Sequence, residues 1–503
     1  MVGIVNRSMY PVQTSMNLIS KMQERFATLQ TQLATGQKAS DLAGMGADRF
    51  VTLSMQSRIS RIEGYQNSID MVNMRLEVYD EVMGRLDKVE STARASIAPS
   101  AYGSANVNFG TVPTTARSNL DELINLLNTD VDGRYLFAGG SVDKRPVETT
   151  SAILDGAGGK AGFKQVAAER LLADQGTGNG RLTQTHTAGT DTVSLAEDGA
   201  HPFGFKLSTL TGSGTTSATL TAPSGAAPKS ASVQFTAQPQ DGSSITLGLT
   251  LPDGTEAGIT LKAVAGTPGD GEFQIGASVG ATADNFAAAL DAKLQTMAKT
   301  ELASASNYAA ADNFFNGQGQ PVLRVQGPAF ATATSLVTAD PTTTVLWYKG
   351  EDAANARTTV SAKIDDAATV NYGVQANESG PVALMRSLAV MSIQSFTNAD
   401  STSQGRFDAV ATRNYSRLSE SHNNEGGSIE MIAAELGNAR VNVDGVSGRQ
   451  DNYKAQLQGM IDDISTVPKE DVAMEILALQ TRLQASYQAT SLIAQLSLVN
   501  YIK

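Results

Sequence analysis

Ile62, Ile69, Leu76 and Met83 recur at seven-residue intervals, and Tyr65, Val72, Tyr79 and Leu86 each follow three places later. Two apolar positions in every seven, sustained over four repeats, form a seam that a helix buries against a partner helix. That spacing commits this stretch to a helical trunk and obliges the rest of the chain to supply something for the seam to pack against.

Other helical faces lie on both sides. From Ser15 to Thr35, residues Leu18, Met22, Phe26, Leu29 and Leu33 step by four, four, three and four, which is one face of a helix, and Gly36 is placed to end it in the left-handed conformation. A further helix is expected from about Ala116 to Asn128, with Leu120, Leu123, Ile124 and Leu127 on its apolar side. Near the other end Ile476, Leu479, Leu483 and Tyr487 form a face that Leu492, Leu496 and Val499 continue with a small phase shift. Pro468 separates that helix from one ending near Ile464.

Between these blocks the character changes. Beyond Val147, Gly, Ser, Thr and Ala dominate and short alternating runs replace helical faces. Ser232 to Phe235, Ser244 to Leu251 and Gly258 to Val264 read as strands, with Leu251-Pro-Asp-Gly-Thr255 as a hairpin turn. Val322 to Val325, Val345 to Tyr348, Thr358 to Ile364 and Thr369 to Val374 add further strand candidates, and one helix is expected from Ala283 to Thr300. After Pro381 the helices return.

The fold class that follows is α+β: a discontinuous α-helical coiled-coil trunk built from both termini, with an inserted β-rich outer region. The domain reading is residues 1–147 as an N-terminal helical trunk, holding the terminal core helix and the heptad helix. Residues 148–384 are the inserted outer region, of one or two subdomains, and residues 385–503 form a C-terminal trunk packing on the first.

Composition narrows the function. A net charge of -12 leaves no basic stripe for phosphate, so nucleic acid is not expected as a partner. The 503 residues contain no cysteine, which removes disulfides, thiolate metal sites and thiol nucleophiles together. Met1 to Tyr10 lacks the pattern of a cleaved secretory signal, and no stretch approaches a bilayer-spanning apolar run.

Several stretches carry a resemblance. Leu29-Gln-Thr-Gln-Leu-Ala-Thr-Gly36 is similar to the helix-ending turn of the bacterial flagellin family. Asp132-Gly-Arg-Tyr-Leu-Phe-Ala-Gly-Gly140 resembles the segment by which hook-filament junction proteins leave their trunk. The run from Ala485 to Ile502 resembles the C-terminus of the same hook-associated proteins. The resemblance spans roughly residues 1–147 and 340–503, whereas the long middle has no counterpart and its size leans toward a filament flagellin.

The resemblance implies an extracellular structural subunit of the flagellum, exported unfolded by the flagellar type III route without a cleaved signal and accompanied by an export chaperone. Its partners would be copies of itself and other hook-associated or filament proteins. The terminal helices would order on assembly and polymerise. The subunit-interface residues assigned on this basis are Leu18, Met22, Phe26, Leu29, Leu33, Ile476, Leu479, Leu483, Leu492 and Leu496, while Ile62, Tyr65, Ile69, Val72, Leu76, Tyr79, Met83 and Leu86 are assigned to an intramolecular seam. Ser40 to Asp48 and Met83 to Glu90 differ from the stretches that immune receptors read in many flagellins, so that property is not carried over.

Competing readings are a filament flagellin, a secreted adhesin or surface-binding module, and an enzyme hidden in the middle. Chemistry has little support. His186, His201 and His422 stand far apart, no His-Glu-x-x-His occurs, and Gly156-Ala-Gly-Gly-Lys160 has the wrong glycine spacing for a phosphate loop. The carboxylates show no pairing that marks an acid-base couple, so no catalytic residue, metal or cofactor is assigned. Tyr65, Tyr79 and Tyr487 are read as core aromatics, and Trp347 as packed within the insertion.

Overall fold

The computed structural model describes residues 10–96, 110–214, 217–396 and 401–499, with the side chains of 10–12, 494 and 496–499 left aside. In chain order the helices and strands are α1 (Tyr10–Thr35), α2 (Arg49–Ala95), α3 (Val112–Leu127), β1 (Asp130–Val131), β2 (Arg134–Tyr135), α4 (Thr150–Asp155) and α5 (Phe163–Gln175). There follow β3 (Leu182–His186), β4 (Thr192–Glu197), β5 (Lys206–Ser213), β6 (Ala218–Thr221), β7 (Ser230–Phe235), β8 (Ser244–Thr250), β9 (Glu256–Val264) and β10 (Glu272–Gln274). The rest are α6 (Val279–Lys299), α7 (Glu301–Phe314), β11 (Leu323–Val325), β12 (Leu336–Thr338), β13 (Ser361–Lys363), β14 (Thr369–Asn371), α8 (Ser379–Ser392), α9 (Ser401–Arg417), α10 (Ile429–Ser465) and α11 (Lys469–Val499). Long helices near both ends flank a β-rich middle, an α+β arrangement.

The chain forms two compact units. The first holds residues 1–71, 363–369 and 441–503, and the second holds 72–362 and 370–440. These divisions do not coincide with the boundaries at 147 and 384, because α2 and α10 each run through both units, and position 384 falls inside α8.

In the first unit α1 and α11 pair along their lengths. The start of α2 packs on the end of α10 through Met55, Ile59, Ile62, Leu457 and Ile461. A tight crossing joins the two helix pairs: Gly36, at φ 71°, accepts from the Val467 amide at 3.0 Å, and the Lys38 amide donates to the Ser465 carbonyl at 2.6 Å. A left-handed residue is needed there, which is why glycine ends α1.

In the second unit two antiparallel-rich sheets, ordered β10-β9-β8-β5 and β3-β4-β7-β6, share one apolar core with α6. Strict alternation explains it, since Ile245, Leu247 and Leu249 of β8 and Ile259, Leu261 and Ala263 of β9 all point inward. Phe235, Phe273 and Phe286 close the core edge-to-face, with ring centroids 5.2 to 6.1 Å apart. The 251–255 turn joins β8 to β9 as expected.

Several expectations need correction. Val345 to Tyr348 is no strand: Tyr348 makes only an isolated bridge to Val147, and Thr344 one to Ala161. Trp347 is fully buried there and donates from Nε1 to Asn316 Oδ1 at 2.8 Å. The runs 358–364 and 369–374 shorten to β13 and β14, because residues 356–359 form a 3-10 turn. Strands β3 to β6 and helices α4, α5 and α7 were not anticipated. Helix α7 is buried almost all round, and its Ala-Ser-rich sequence has no apolar stripe to reveal it.

Candidate assembly surface

The first unit pairs the first and last described helices. Helices α1 and α11 run antiparallel, and Leu29, Val472, Leu479 and Leu483 form a buried cluster that Ile19, Met22, Phe26, Leu33 and Ile476 cover in part. Polar contacts flank this seam. Arg25 sits 2.9 Å from Glu475, and Gln23 Nε2 donates to Tyr487 Oη at 2.6 Å.

The residues assigned to the subunit interface therefore divide. Leu29, Leu479 and Leu483 are buried within one chain, and Met22, Phe26, Leu33 and Ile476 are half-buried in the same cluster. Leu18 and Leu492 remain 57% and 60% exposed. The side chain of Leu496 lies outside the described residues.

Of the heptad positions, Ile62 and Ile69 are buried in the first unit and Val72, Leu76, Tyr79, Met83 and Leu86 in the second. Tyr65 is only half-buried and donates to Asp366 Oδ1 at 2.8 Å, a bond that holds the Asp366 carboxyl below its usual range. Tyr487 is largely exposed, contrary to its reading as a core aromatic.

Sequence reasoning missed a set of exposed apolar side chains on three helices of the first unit. Phe50, Leu53, Val441, Met460, Met474 and Leu477 are all exposed, Phe50 by 81%. On α11, Met474 and Leu477 leave the face that α1 covers, so this helix is apolar on more than one side. A helix apolar all round is normally buried, and here one chain covers only part of it. The signal was present in the sequence as Met474 and Leu477 interleaved with Val472, Ile476 and Leu479.

The segment that resembles the trunk exit has a packing role in the second unit. Asp132 and Gly133, at φ 53° and 74°, make the tight turn between β1 and β2. Just beyond it Leu136, Phe137 and Ala138 are buried. Tyr79 donates to the Leu136 carbonyl at 2.6 Å and meets the Phe137 ring edge-on at 5.7 Å.

Titratable groups in the second unit serve packing. Burial, with Glu430 and Asp87 nearby, pushes the Glu90 carboxyl up to about 7 against the pull of Arg94 and His422. Burial also raises Glu378 to about 7 despite Arg357 at 2.5 Å. Each histidine meets one carboxylate, His186 with Asp284, His201 with Asp198 and His422 with Glu425, all at 2.7 Å. Among the described residues no cluster of three or more His, Cys, Asp or Glu could hold a metal. Gly156 to Lys160 is a turn closed by an Ala157–Lys160 bridge. No described helix is long and apolar enough to cross a membrane.

Residues 5–141 match the model of the bacterial flagellin N-terminal helical region. No curated protein matches the sequence.

Proposed function

We propose that this chain, which belongs to the bacterial flagellin family through its N-terminal helical region and is an extracellular, self-polymerising structural subunit of the flagellum, takes its place at the hook-filament junction. The observation that carries the assembly reading is the uncovered apolar surface of α11 beside its seam with α1. A second copy laid against Met474 and Leu477 would bury them, and burial of apolar area is the main driving force of such association. Export without a cleaved signal, an export chaperone and hook-side partners belong to the same reading.

The junction assignment draws on the 132–140 segment, whose turn and buried Leu136-Phe137 are tied to Tyr79 of the heptad helix. The filament-flagellin alternative draws on the size of the middle region. Seeding separates them. Purified chain added to filament fragments and viewed by electron microscopy should cap the fragments without lengthening them, whereas long growth from the fragments would assign the chain to the filament.

A further inference from the structure

A polar cleft of about 450 Å³ opens on the first unit between α2, the loop 363–369 and α10, and its walls include Arg58, Arg61, Tyr65, Asp365, Arg449 and Tyr453. Arg61 is neutralised by Asp366 at 3.3 Å. Arg58 donates to the Tyr453 hydroxyl at 2.9 Å, and among the described residues no ion pair engages Arg58 or Arg449. Both arginines are exposed. Three guanidiniums thus face two carboxylates, Asp365 and Asp366, in a chain whose overall charge is -12. An excess of positive charge in that setting calls for an acidic partner.

The opposite imbalance occurs further along α10. Asp462 and Asp463 are both exposed in its last turn, where no basic residue accompanies them. A helix C-terminus carries partial negative charge and disfavours carboxylates, so this doublet works against its own helix. No ion pair engages either residue among the described residues. Arg449 and Asp462 lie thirteen positions apart on one helix, about 20 Å at the helical rise, so the doublet cannot reach the cleft of its own chain.

We propose that the Arg58–Arg449 cleft receives the Asp462–Asp463 doublet of a second copy of this chain. Resting on the assembly reading above, the contact is head-to-tail. Each copy offers its cleft to one neighbour and its doublet to another, so the contact links successive copies head-to-tail. The Tyr453 hydroxyl, which accepts from Arg58, supplies a further donor. Because the groups are exposed before contact, salt weakens their approach, and the attraction acts chiefly on the rate and register of addition.

The test uses the full chain in four samples: wild type, R58E/R449E, D462R/D463R, and an equal mixture of the two variants. Each is added to filament fragments and followed by sedimentation and electron microscopy at low and high salt, with thermal unfolding as the control for folding. Each variant alone should add at least about tenfold less than wild type at low salt, and the mixture should regain addition because each cleft then meets a doublet of opposite sign. If R58E/R449E does not fold, R58Q/R449Q takes its place with the same expected loss and without the mixing arm, because a neutral cleft attracts a doublet of neither sign. Folded variants that add like wild type, or a mixture that regains nothing, would overturn the pairing alone; wild type that adds to no fragment would overturn the assembly reading and the pairing with it.

Discussion

The Arg25 guanidinium donates two hydrogen bonds, of 2.9 and 3.2 Å, to one carboxylate oxygen of Glu475 across 450 positions of sequence. The contact fixes the register of α1 on α11, yet both side chains are half exposed, so water and salt screen most of its energy. The apolar seam beside it holds the pair together.

It follows that Arg25→Ala should change the stability of the helix pair by less than about 1 kcal/mol. Leu29→Ala, which empties a fully buried site, should cost about 2–4 kcal/mol. Hydrogen exchange of the α1 and α11 amides measures both, and equal acceleration by the two substitutions would show that the ion pair and not the seam holds the helices.

The exposed face of α11 should behave differently from its seam. Met474→Gln with Leu477→Gln changes side chains that are 62% and 63% exposed in one chain, so unfolding should shift by no more than about 0.5 kcal/mol. Addition to filament fragments should nonetheless fall sharply. Undiminished addition by this variant would place the contact elsewhere on the trunk.

Asp253 shows what the insertion depends on. Its carboxylate is completely buried, lies 2.8 Å from Arg413, and accepts from the Thr255 amide and hydroxyl in the β8–β9 turn. Asp253→Ala leaves the Arg413 charge with Glu301 as its remaining ion-pair partner and should destabilise the second unit by roughly 3–5 kcal/mol. Denaturant unfolding reads this directly, and a loss under about 1 kcal/mol would mean that the pair contributes little.

Glu90 makes stability depend on pH. Its carboxyl is raised from 4.5 to about 7 in the folded chain, so the folded state holds a proton that the unfolded state releases. Stability from this group is therefore complete below about 4.5 and lost as pH rises through about 7. Glu90→Gln should leave the protein unchanged in mild acid and stabilise it by about 1 kcal/mol above neutrality, allowing for partial solvent screening. Unfolding midpoints of the two proteins across that range supply the check; a constant difference at every pH would exclude the titration.

The trunk was legible because its residues obey one period. Leu18 to Leu33 and Ile62 to Leu86 could be placed on helices, and Gly36 and Pro468 at helix boundaries, from spacing alone. The insertion was legible only where strands alternate cleanly, as in β8 and β9. Helix α5 escaped because its buried face includes Glu169, Arg170 and Asp174, which ion pairs within the fold make tolerable. Helix α7 escaped because small residues bury without a periodic signal.

The assembly surface was half legible for a different reason. Periodicity finds the strongest apolar face of a helix, and on α11 that face is taken up by α1 within the same chain. What stays exposed is the weaker face of Met474 and Leu477, together with charges such as Arg449 and Asp462 whose meaning depends on what lies beside them in space. Spacing along the chain carries no information of that kind.

Assembly through the terminal helices is the central expectation. The most direct measurement compares the full-length chain with one lacking residues 1–35 and 470–503, each added to filament fragments and examined by electron microscopy. The full-length chain should add to fragment ends and the shortened chain, still folded in its second unit, should not. Equal addition by both, or by neither, would contradict it.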